Sequence, residues 1–219
     1  MKKGLLIAGG IFIAVVFVGI ICLYIFTNAM GGGKEFNLKG TWKVYMYAGD
    51  EIVNEIMVFD DDTVKDYRNG SDTPVFTSSY TYENGTLTLE DASMTFSVRK
   101  VTDYNVGLIE PSSREWKMIK IADENKGPEE VSPSAIKGTY SLLSVEGVAK
   151  INETIKFSDT TFTDYRNGEV YLDAEYTLNA DRILSVPAIS MNYYTYKIND
   201  RLLLIDRATL YVWELKFKG

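Results

Sequence analysis

The chain has 219 residues, 46% of them hydrophobic and 13% aromatic, enough for one or two packed domains and unlike a disordered protein. It contains no histidine and a single cysteine, Cys22, which excludes an internal disulfide, a thiolate zinc cluster and a Cys-His catalytic pair. The net charge is −7; residues 34–219 alone hold 21 Lys and Arg against 30 Asp and Glu, with no basic stripe, which argues against nucleic acid as a partner.

Residues 1–4 carry Lys2 and Lys3 and are expected to be cytoplasmic. From Leu5 to Phe26 no charge or proline occurs. As a helix of about 33 Å that run would cross the hydrocarbon core, so it reads as a transmembrane signal anchor. A cleaved secretory signal has a shorter apolar region, although Thr27-Asn28-Ala29 offers small residues for a cut. Residues 27–37, with Gly31-Gly32-Gly33, read as a flexible tether. The expected localisation is the cell membrane, single-pass, with everything beyond the tether extracytoplasmic.

Residues 38–121 and 136–218 are two copies of one unit. Leu38–Val44 matches Ile136–Leu142, Phe59 matches Phe157, and Asp-Tyr-Arg-Asn-Gly at 66–70 recurs at 164–168, all 98 positions apart. Past that pentapeptide the spacing falls to 96, as in Tyr80-Thr81 and Tyr176-Thr177, so a two-residue difference is localised there. Residues 122–135, rich in charge, Pro and Gly, read as a linker.

Within each copy apolar residues alternate with period two, and Gly, Asn and Asp clusters interrupt them every 8–12 residues. Met94, Phe96 and Val98 share a face; Tyr194, Tyr196 and Ile198 are expected to be their counterparts. The pattern predicts about eight short antiparallel strands per copy and an all-β chain of two tandem small barrels, since closure removes exposed edges. Phe59, Tyr80, Phe96, Phe157, Tyr176 and Tyr196 are expected to fill the interiors, and Tyr193 and Tyr211 to lie on an outer face.

Asn69-Gly70 and Asn167-Gly168 predict type I′ hairpin turns. On the preceding strands Val64, Asp66 and Arg68 share one face, as do Phe162, Asp164 and Arg166. If Val64 and Phe162 point inward, so do the Asp and Arg side chains, near a barrel mouth. Two readings stand: Asp–Arg pairs that close the barrel ends, or a polar clamp in which Arg68 and Arg166 hold a carboxylate or phosphate head group. Asp66, Arg68, Asp164 and Arg166 are therefore the candidate ligand-binding residues, with Tyr67 and Tyr165 facing outward. Asp60-Asp61-Asp62 lacks the glycine and distal glutamate of a calcium loop and reads as a solvated turn. No nucleophile elbow, P-loop or dinucleotide fingerprint occurs, and no catalytic residue, metal site or cofactor is expected.

Gly40-Thr41-Trp42 opening an eight-strand meander resembles the lipocalin signature, and each unit is similar to short bacterial lipocalin-like repeats. In the second copy Tyr140 stands in place of the tryptophan, and Lys120 and Lys216 occupy the final strands where the family carries an arginine. The resemblance implies a small apolar or amphipathic ligand inside each barrel. The alternative is a structural or interaction protein with solid barrels that recognises a protein or an envelope polymer. An enzyme ranks last.

Overall fold

Period-two alternation punctuated by residues that accept positive φ gives hairpins, and a computed structural model places eighteen strands among the residues it describes, 36–123, 128–129 and 131–219. The predicted membrane segment at 5–26 and residues 27–35 of the tether lie outside the described residues. Among those described, no helix is long and apolar enough to cross a membrane.

The first copy runs through β1 (Gly40–Tyr47), β2 (Asp50–Phe59), β3 (Thr63–Arg68), β4 (Phe76–Glu83), β5 (Thr86–Leu89), β6 (Met94–Lys100), β7 (Asn105–Ile109) and β8 (Glu115–Ala122). Each strand pairs with the next, and β8 returns to β1, closing an antiparallel barrel. The second copy comprises β9 (Gly138–Val145), β10 (Val148–Ala149), β11 (Glu153–Phe157), β12 (Thr161–Arg166), β13 (Glu169–Glu175), β14 (Thr177–Leu178), β15 (Ile183–Val186), β16 (Met191–Ile198), β17 (Arg201–Asp206) and β18 (Val212–Phe217). Its sheet runs from β13 round to β14, with β10 attached to β9.

That second sheet is nearly closed, because its two edge strands are consecutive in the chain and meet at the bend of Tyr176. In the first barrel β4 makes the same turn without a break: Phe76–Ser79 pair with β3 and Tyr80–Glu83 pair with β5. Tyr80 and Tyr176 hold this corner in both copies, donating their hydroxyls to the carbonyls of Asp60 at 2.8 Å and Ser158 at 2.9 Å.

Trp42 is fully buried, with its indole N–H on the Leu38 carbonyl at 2.5 Å and Lys120 Nζ 5.9 Å from its ring centre. In the second copy Phe217 takes the place of Lys120, edge-on to Tyr140 at 5.3 Å.

Several strands do not alternate, because both of their faces are covered. In β17, Leu202 and Leu204 enter the interior of the second barrel, while Leu203 and Ile205 face the other way. There they join Tyr196, Ile198 and Val212 in a shared core with Tyr45, Met46, Ile119 and Ile121 of the first barrel. Charged contacts rim this seam: Lys117 Nζ with Glu146 Oε1 at 2.6 Å and Arg207 Nε with Glu51 Oε1 at 3.4 Å. The expected face of β16 is thereby corrected. Tyr196 and Ile198 belong to the seam and Tyr193 to the interior, a one-residue slip that exchanges the two faces. Tyr211 is exposed as expected.

Lys43 alternates with Trp42 and Val44 on β1 and is buried beside Glu55 and Glu51; desolvation lowers its pKa to about 8. Below that pH folding must bury a charge, and the penalty is relieved as pH rises from about 8 to the ordinary lysine value. Lys43→Met should therefore stabilise the protein at pH 7 by about 1–3 kcal/mol, with the gain shrinking toward pH 10 in parallel urea titrations. A gain independent of pH would assign the effect to packing. Because the seam is apolar and shared, Leu203→Ala should cost roughly 2–4 kcal/mol. Trp116 and Trp213 fluorescence should report one unfolding transition for both barrels; two separate transitions would show that the seam does not couple them.

Candidate binding site

The repeated pentapeptide forms the same turn twice. Asn69 and Gly70 have φ of 55° and 71°, Asn167 and Gly168 of 53° and 85°, the left-handed pair that a type I′ turn requires. The amides of Asn69 and Asn167 donate to the carbonyls of Asn54 at 2.8 Å and Asn152 at 2.9 Å, which brings the preceding strand of each hairpin alongside. The residue after each of these asparagines is a glutamate, Glu55 or Glu153, paired across the ladder with Arg68 or Arg166.

Asp66 is 3% exposed and points inward. Arg68 donates from Nε to Asp66 Oδ2 at 2.8 Å, sets Nη2 2.8 Å from the same oxygen, and reaches Glu55 Oε1 at 3.3 Å. The second copy repeats this: Arg166 Nε lies 3.1 Å from Asp164 Oδ2 and 3.2 Å from Glu153 Oε1. Each mouth therefore holds two carboxylates against one guanidinium. Burial raises the pKa of Asp66, Glu55 and Asp164, opposed by the adjacent arginine; for Glu55 the charge of Asp66 adds to the rise. Asp66 Oδ1 and Asp164 Oδ1 are buried and find no hydrogen-bond donor among the described residues.

A cavity of about 300 Å³ opens beside the first of these clusters. Phe76, Leu89, Phe96 and Leu108 form its apolar wall, Asp66 and Arg68 line it, and Val75 and Met94 border it where they are exposed. Trp116 faces it, its indole N–H held by Glu110 Oε1 at 2.8 Å.

Register identifies the counterparts in the second barrel. Leu172 pairs with Asp164 as Phe76 does with Asp66, and Tyr193 pairs with Leu184 as Phe96 does with Leu87. Trp213 pairs with Leu204 as Trp116 does with Leu108. Tyr193 is 1% exposed, its ring 5.7 Å from Trp213 and its hydroxyl 2.9 Å from Met191 Sδ. It occupies the same cluster as Ile155, Phe157 and Phe162, so the interior around Asp164 is built of packed side chains.

The mouths differ as well. In the second copy β13 follows the turn directly, and Tyr171 lies against Arg166, its ring centre 3.4 Å from the guanidinium carbon. In the first copy the two extra residues fall in Ser71–Val75. That stretch leaves the ladder, with Pro74 unable to donate, before Val75 rejoins through its N–H on the Asp66 carbonyl at 2.8 Å.

Of the residues expected from the sequence, Asp66 and Arg68 come together at the cavity, and Asp164 and Arg166 at the filled barrel. Glu55 and Glu153 were not expected. Their signal was the Asn-Glu pair repeated at the same spacing as the pentapeptide. Among the described residues no cluster of three or more metal-ligating side chains occurs. No family model, curated protein or solved structure matches the chain.

Removing Arg68 leaves Asp66 buried without a counter-ion and Glu55 with Lys43 alone. Arg68→Met should cost roughly 1–3 kcal/mol at pH 7, the lower end reflecting the half-exposed guanidinium. Because buried carboxyls favour the protonated form, the loss should shrink as pH falls toward the ordinary carboxylate range near about 4. A loss equal at pH 7 and pH 4.5 would remove the electrostatic explanation.

Proposed function

We propose that this chain is a membrane-anchored, extracytoplasmic binding module, lipocalin-like in plan and non-enzymatic, whose first barrel holds a small apolar or amphipathic molecule. The observation that carries the reading is the contrast between the two copies. The same strands and the same charged mouth enclose a cavity in one barrel and packed side chains in the other. A cavity of about 300 Å³ with an apolar wall and a few polar groups at one end is at the small end of known ligand sites. The anchor is the 22-residue apolar run at 5–26, which holds the barrels outside the cell membrane.

A second reading, an interaction protein that recognises a protein or an envelope component, draws on the filled barrel. Its mouth exposes Ile151, Val170 and Tyr171, on segments joined by the hydrogen bond of the Asn167 amide to the Asn152 carbonyl. The two readings are compatible if the first barrel binds and the second docks.

The test uses the full-length chain in lipid nanodiscs, with empty nanodiscs as the partition control. Titration with 1-hexanol, a neutral short probe, should change tryptophan emission saturably through Trp116. Leu89→Phe, which fills the cavity wall, should remove the saturable change while leaving the circular dichroism of the folded barrels in place. Emission that changes only linearly, or that Leu89→Phe leaves as it was, would favour two solid barrels.

A further inference from the structure

The cavity carries an acceptor that no described residue satisfies. Asp66 lines the cavity and is 3% exposed, and its Oδ1 has no donor among the described residues. A buried carboxylate oxygen without a donor costs free energy that a bound group can recover. Arg68 does not meet this need: both of its contacts to Asp66 go to Oδ2, and its remaining reach goes to Glu55. Lys43, the other nearby cation, directs Nζ to the backbone carbonyl of Glu55 at 3.5 Å. Asp66 lines the cavity and Glu55 lies behind it on the same guanidinium, so in this cluster two carboxylates face one arginine, and an incoming anion would meet an arginine already engaged.

The second barrel shows what fills the equivalent space. There Tyr193 replaces Phe96, and its ring supplies apolar volume. Its hydroxyl donates to Met191 Sδ at 2.9 Å, and Asp164 Oδ1 stays without a donor among the described residues. The first barrel shares the orphaned acceptor but lacks the packing around it, so there the acceptor opens on space that a donor can enter.

We propose that the first barrel takes an amphipathic amine, with its apolar body against Phe76, Leu89, Phe96 and Leu108 and its ammonium group donating to Asp66 Oδ1. This rests on the cavity-binding reading above and reverses the head group expected from the sequence, a carboxylate or phosphate held by Arg68. The ammonium offers several donors, so one reaches Asp66 Oδ1 while its charge is balanced by the surplus carboxylate of the cluster.

The experiment compares hexylammonium, 1-hexanol and hexanoate, each titrated into the full-length chain in nanodiscs and read by tryptophan emission against empty nanodiscs. Hexylammonium should bind at least about tenfold more tightly than 1-hexanol, and hexanoate more weakly than either. Asp66→Asn should lower hexylammonium affinity by a larger factor than 1-hexanol affinity, removing the preference for the amine. Glu55→Gln, the second variant should Asp66→Asn fail to fold, should lower hexylammonium affinity selectively. Hexanoate binding as tightly as hexylammonium, or equal affinity for alcohol and amine, would overturn the amine assignment and leave the cavity reading standing. Saturable binding of none of the three would overturn the cavity reading itself.

Discussion

An eight-stranded barrel encloses an interior just wide enough for its own inward side chains, so a few residues decide whether it is solid or hollow. Both copies obey the same frame: an aromatic at the start of the first strand, a phenylalanine at the end of the second, and a tyrosine that pins the corner of the fourth. Phe157 shows the filled solution, with Tyr140, Phe162 and Tyr176 packed around it at 5.5–5.9 Å. The first barrel departs from it at several places. Val64 stands where Phe162 does, Phe96 stands where Tyr193 does, and Ser71–Val75 widens the hairpin that Tyr171 otherwise shuts against Arg166.

The charged mouth belongs to the frame. It occurs in the filled barrel as well as in the hollow one, so its first role is structural: the guanidinium neutralises carboxylates that the strand register forces inward. A buried pair of this kind is seldom a large source of stability, but losing one member strands the other in a poor solvent. What distinguishes the first barrel is the space beside this cluster, which Asp66 lines with an oxygen that has no donor among the described residues. The seam between the barrels fixes the frame from outside. Strands β1, β8, β16, β17 and β18 are covered on both faces, so the first barrel is held along one side while its mouth hairpin lies away from the shared core.

Much of this was legible in the chain. The repeat, the eight strands of the first barrel and the type I′ turns follow from alternation and from two Asn-Gly pairs, because both are local consequences of backbone geometry; the second copy breaks the same path into ten strands. The inward direction of Asp66 and Asp164 followed from Val64 and Phe162. Three features were written in the sequence but demanded tertiary knowledge. The run Leu202–Ile205 has no alternation because a second barrel covers its outer face, and one-face patterning cannot say what that cover is. The face of β16 was misplaced because Tyr193, Tyr194 and Tyr196 are equally apolar, and only pairing fixes which of them points inward. The fall in repeat spacing after Gly70 marked the widened mouth, yet a two-residue insertion does not announce a cavity without the packing around Phe96.

One barrel is hollow and its twin is filled, and methionines sit in both. Met57 and Met94 line the cavity, and Met191 contacts the hydroxyl of Tyr193 in the filled interior. The direct measurement is a methyl carbon-13 methionine spectrum of the full-length chain in nanodiscs, titrated with 1-hexanol and assigned by single Met→Leu variants. The predicted result is saturable movement of the Met57 and Met94 methyls while Met191 stays fixed. Movement of Met191 with the other two still, or no saturable movement at any of them, would contradict it.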